Sequence, residues 1–155
     1  MFNTIFGLPM HPLVVHATVV IVPAAAVTVA AAAVWPRFRA WASYLPLGLS
    51  ILALILVPVS TQSGESLEHN LPETALIERH AHLADGLLPW VALLVVAAAL
   101  MFARDRLGRR SDEVAMPRWI AGALIVIALV GAVGTGVQVG RIGHSGAEAA
   151  WSGVK

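Results

Sequence analysis

Six histidines, His11, His16, His69, His80, His82 and His144, stand in a chain of 155 residues that is 58% hydrophobic and only 12% charged. Imidazole is the commonest metal ligand and the side chain that titrates nearest neutral pH. Histidines set into so apolar a background point to a metal, haem or proton site. The first pair is His11-Pro-Leu-Val-Val-His16. Pro12 suits a first helical turn, where its missing N–H is not needed, so His11 is expected at the cap and His16 about one turn inside. At about 100° per residue the two lie about 140° apart, and one centre takes both only if the helix start is irregular. His16 falls inside an apolar run, where an ionisable group is costly and calls for a specific partner or function.

Three further segments carry polar chemistry. Thr61-Gln-Ser-Gly-Glu65 closes a second apolar run. Gly64 reads as a helix C-cap, and Glu65 beyond it is able to ligate a metal, orient a histidine or move protons. Glu68 and Glu73 read as exposed loop acids. In Glu78-Arg-His80-Ala-His82-Leu-Ala-Asp85, Glu78, His82 and Asp85 share one stripe of a helix, while His80 continues into Ala84, Leu87 and Val91. His80 is therefore the better ligand candidate and His82 a solvated partner of the acids. The last segment holds Gly131, Gly134, Gly136 and Gly140, then Arg141-Ile-Gly-His144-Ser-Gly. Gly136 and Gly140 have the small-xxx-small spacing of close helix packing, and Arg141 is placed to meet a haem propionate or Glu65, or to snorkel.

Several classes are excluded, and two are weakened: a proton- or metal-coupled transporter and, further still, a hydrolase. Without cysteine there are no disulfides, thiolate or iron–sulfur sites, or covalent c-type haem. A net charge of +1 offers no patch for nucleic acid. Ser63 and Ser145 lack the nucleophile elbow of a hydrolase. No charged residue lies near the middle of an apolar run, where carriers bind their substrates.

The elements that position these residues follow from hydropathy. Soluble domains carry about 25% charged residues; this chain carries half that, with a mean hydropathy of +0.79. Apolar runs over residues 12–34, 42–62, 83–103 and 118–142 each approach the roughly 20 residues of a membrane span. They lack the period-2 alternation of barrel strands, so an all-α, integral membrane four-helix bundle in one domain over 1–155 is expected. Residues 1–10 contain no Lys or Arg, unlike a signal peptide, and the first run is expected to be a retained helix. Arg37 and Arg39 follow the first run, and Arg104, Arg106, Arg109, Arg110 and Arg118 the third. The second connection has none up to Glu78. The positive-inside rule then puts both termini and the second connection outside a bacterial inner membrane, with Trp35, Trp41 and Trp119 at the inner interface. All six histidines fall on one side, and remain together if the orientation is reversed.

The chain resembles a bacterial membrane-protein family named only as domain of unknown function 2231, nearly end to end and most closely its actinobacterial members. The resemblance lies in residues 7–17 around His11 and His16, in Pro58–Glu65, in Glu78–Asp85, and in Arg141–Ala147 followed by Trp151. Carried over residue by residue, it points to His11, His16, Glu65, His80, Asp85 and Arg141. Related chains often have Glu at the position of His82. Some relatives are fused to a Rieske iron–sulfur domain and keep only the first histidine of the first motif, which implies electron transfer with His11 and His80 as axial ligands of a b-type haem.

Two functional expectations result. One is an outer-face site binding haem b through His11 and His80 with Arg141, or a divalent Zn, Fe or Cu ion through His11, His16, Glu65 and His80, with electron transfer to or from a quinol or a redox protein. The other is a non-catalytic membrane scaffold or assembly subunit whose polar residues lock helix ends. The bilayer is the common partner in both, and a homo-oligomer is compatible with either.

Overall fold

A computed structural model describes residues 4–5, 7–69, 71–72, 74–108 and 117–152. Glu73, Arg109 and Arg110, expected in the second and third connections, lie outside the described residues. The chain opens with a short antiparallel hairpin, β1 (Thr4–Ile5) and β2 (Leu8–Pro9), turned at Gly7 with φ +79°. Among the described residues six helices follow: α1 (Met10–Val34), α2 (Pro36–Ala42), α3 (Leu45–Glu68), α4 (Ala75–Asp85), α5 (Leu88–Gly108) and α6 (Arg118–Trp151). The described fold is all-helical apart from the hairpin. Four stretches, α1, α3, α4 with α5, and α6, are long and apolar enough to cross a membrane.

Between the long helices the chain uses local devices. Pro36 and Pro46 start α2 and α3 with a preset φ. Thr74 caps α4, its Oγ1 accepting the Ile77 N–H at 3.3 Å. The long helices alternate in direction. His11 at the start of α1 meets the end of α3, and His80 of α4 meets the end of α6. At the opposite end Arg39 of α2 lies 3.1 Å from Asp105 near the end of α5 and also donates to the Ala32 carbonyl.

α1 packs on α3 and α6, and α5 packs on the same two helices. In a bilayer, helices associate through close packing rather than hydrophobic burial, which favours small residues at the seam. The core follows that rule: Ala25, Ala32, Ala53, Ala97 and Ala128 are buried beside Val22, Val29, Val57, Val91 and Leu94. Val27, Ile55, Val96, Val126 and Val133 are exposed on the outside of the bundle, the polarity expected of lipid-facing helices. Trp35, Trp41 and Trp119 are exposed beside the arginine-rich connections.

The helix ends differ from those expected. α1 begins at Met10, so His11 is a residue of the helix rather than its cap. α3 continues through Gly64 to Glu68 with His69 as C-cap; Gly64 ends nothing. The third span is two helices with a break at Gly86–Leu87. There the Leu87 N–H bonds Ala84 O, leaving the Leu83 carbonyl for the Gln138 side-chain amide, 2.5 Å away. α6 runs past Ile142 to Trp151 and contains His144. Gly136 and Gly140 face open space, with nothing within 4 Å of an added Cβ. Between residues 131 and 140 the glycines used for packing are Gly131, against Leu93 and Leu94, and Gly134, against the Trp90 ring.

Candidate functional site at the histidine end of the bundle

Two seats for imidazoles lie at one end of the bundle. On the first, His11 of α1 lies against α3, its Nδ1 3.1 Å from both Ser60 O and Ser63 Oγ. On the second, His80 of α4 lies against α6, its Nδ1 3.1 Å from Ser145 Oγ. A glycine follows each serine, and each ring rests on it. A Cβ at Gly64 would come within 3.1 Å of His11 Cε1, and one at Gly146 within 3.0 Å of His80 Cε1. Larger residues there would displace the rings, so the Ser-Gly pairs are seats by shape as well as by hydrogen bonding.

Both histidines line one cavity of about 600 Å³, inside the range of about 300–1,000 Å³ for small-molecule and cofactor sites. Its walls are mostly apolar, with Val15, Val57, Leu87, Val139 and Ile142 among them. Glu65, Glu68 and Asp85 bring carboxylates to the same cavity. Outside the cavity, Glu148 on α6 accepts from Arg79 of α4 and lies 3.3 Å from His144 Nε2, so the rim of the second seat is tied across two helices. These pairs are exposed, and such pairs are worth little individually.

Of the residues singled out by the sequence, His11, Glu65, His80 and Asp85 meet at this cavity. His16 does not: α1 is helical from Met10, and His16 is exposed with its Nδ1 on the Pro12 carbonyl. His82 and His144 are exposed and do not line the cavity, nor does His69. Arg141 is exposed too and is not among the lining residues. Glu68, read as a loop acid, belongs to α3 and lines the cavity. Among the described residues no group of three or more His, Asp or Glu converges to hold a metal ion.

Sequence reasoning passed over Ser60, Ser63, Ser145 and Gly146 as parts of the site. The one legible trace of them is the Ser-Gly dipeptide at 63–64 and again at 145–146. Gln138 falls inside the fourth apolar run, where nothing in the sequence says what it meets. In the structure it is buried and satisfies the carbonyl opened by the α4–α5 break, which sets how α4 presents His80.

No curated protein and no solved structure matches the chain. A family model described as predicted membrane protein (DUF2231) matches residues 7–154. The chain therefore belongs to the DUF2231 family of predicted membrane proteins.

Proposed function

We propose that the cavity at the histidine end binds a b-type haem between His11 and His80, and that the protein carries electrons at the outer face of a bacterial inner membrane. The observation that carries this reading is the pair of imidazoles, each on its own Ser-Gly seat, lining one apolar cavity. Haem brings four nitrogen donors of its own and needs only two from the protein. A free Zn, Fe or Cu ion needs three or four protein ligands, and the described residues offer no such group. That asymmetry favours haem over a mononuclear ion.

When bound, haem b supplies a one-electron centre. His11 and His80 would hold it, Gly64 and Gly146 leave room for their rings, and the valine and leucine walls would surround it. Quinol from the bilayer or a redox protein at the outer face would be the electron partner. The outer placement rests on the arginines near the opposite end of the helices. His16 and Arg141 take no part in this reading, because neither lines the cavity.

The scaffold reading retains one specific support: the His11–Ser63 and His80–Ser145 bonds also fasten α1 to α3 and α4 to α6. A visible spectrum of protein purified from haem-replete cells separates the two. Haem absorption lost in His11→Ala and His80→Ala supports the proposal, and its absence from folded wild type leaves the scaffold.

A further inference from the structure

The two histidine seats repeat each other in detail. Each pairs an imidazole from one helix with a Ser-Gly step near the end of another. Both serines are buried, Ser63 at 6% and Ser145 at 2% exposure. Both hydroxyl oxygens also lie within donating distance of the carbonyl three residues earlier, Ser63 Oγ 2.9 Å from Ser60 O and Ser145 Oγ 3.0 Å from Ile142 O. In both, Nδ1 lies 3.1 Å from Oγ.

A hydroxyl has a single proton. With that proton on the carbonyl of its own helix, the serine oxygen can only accept from the histidine. The hydrogen in each His–Ser contact must then belong to Nδ1. For His11 the Ser60 carbonyl, which can only accept, requires the same. A neutral imidazole protonated on Nδ1 keeps its lone pair on Nε2. Among the described residues neither Nε2 has a hydrogen-bond partner.

We propose that Ser63 and Ser145 are positioning residues that lock His11 and His80 as Nδ1–H tautomers, holding both Nε2 lone pairs for one shared ligand. The identity of that ligand rests on the haem reading above; the lock itself rests on the hydrogen bonds. Two segments of different sequence arrive at the same set of bonds, which is what a duplicated ligand seat requires. The seats differ in one respect. His11 has a second acceptor in Ser60 O, whereas His80 has Ser145 alone. Losing Ser145 should therefore free its histidine more than losing Ser63 does.

The test is nitrogen NMR of 15N-histidine-labelled full-length protein, purified in detergent from haem-deprived cells, followed by titration with haem. In the wild type both rings should report Nδ1–H. Ser145→Ala should turn His80 into a tautomer mixture and weaken haem binding by about 10–100-fold, the usual cost of removing a ligand's outer partner. Ser63→Ala should leave His11 as Nδ1–H and weaken binding less, and Ser145→Thr, which keeps the hydroxyl, should restore both signals. Circular dichroism confirms that each variant folds. An Nε2–H tautomer at either ring of the wild type overturns the proposal, as does an unchanged His80 tautomer in Ser145→Ala. Tautomers that behave as stated in a wild type that takes up no haem support the lock and refute the haem reading.

Discussion

His80 rests on Gly146: a Cβ at that glycine would stand 3.0 Å from Cε1 and 3.2 Å from Nδ1 of the imidazole. The contact belongs to the ring rather than to the helix backbone, so a branched side chain there must push His80 off its seat. Gly146→Val is expected to weaken haem binding by an order of magnitude or more, as misplacement of a ligand does, with helix content unchanged. Haem titration beside circular dichroism checks it. Unaltered binding would mean that the ring is not held as described.

Gly134 carries the Trp90 ring even more closely, and an added Cβ would overlap the ring. Gly134→Ala should therefore destabilise the bundle by about 1–3 kcal/mol, the usual cost of overpacking. Trp90→Leu in the same chain should recover part of the loss, giving a coupling of about 0.5–3 kcal/mol in a double-mutant cycle. Gly136→Ala and Gly140→Ala meet nothing within 4 Å and should be neutral or stabilising by up to about 1 kcal/mol through helix propensity. Thermal unfolding in detergent reads all four.

Gln138 closes the carbonyl opened where α4 meets α5. Replacing it with leucine leaves Leu83 O without that donor in an apolar interior, a loss of about 1–3 kcal/mol. Because the same break sets how α4 presents His80, Gln138→Leu should also lower haem affinity. Unfolding and haem titration on one preparation distinguish this from a purely structural loss, which would move stability alone.

The chain has no cysteine, so single cysteines introduced for labelling report topology without background. Thr74→Cys in the second connection should react with an impermeant thiol reagent in intact cells. Leu107→Cys, near the arginine-rich end, should react only after lysis. The reverse pattern would put the histidine end inside.

The four spans were legible because each apolar run is long and free of charge through its middle, and hydropathy alone reports that. The stripe of His80 was legible in part: Ala84 and Leu87 line the same cavity and His82 is exposed, but Asp85 of the acidic stripe lines the cavity too and Val91 does not. Helix ends were not. Gly64 looks like a C-cap and the fourth apolar run stops at Ile142, yet α3 and α6 continue through Gly64 and Gly146, and at each an imidazole packs on the glycine. The roles of Ser63 and Ser145 were hidden because they depend on which helices become neighbours. Spacing also misled at Gly136–Gly140: a small-xxx-small motif gives a face of α6 but not what the face meets, and of the four glycines between 131 and 140 the packed ones are Gly131 and Gly134.

The central claim is that His11 and His80 share a haem, and the most direct measurement is the visible absorption spectrum of the purified protein from haem-replete cells. A Soret band with the bands of a low-spin, bis-histidine haem is expected in the wild type and in His16→Ala, and its loss in His11→Ala and in His80→Ala. A folded wild type with no Soret band, or a spectrum that survives removal of either His11 or His80, would contradict the account.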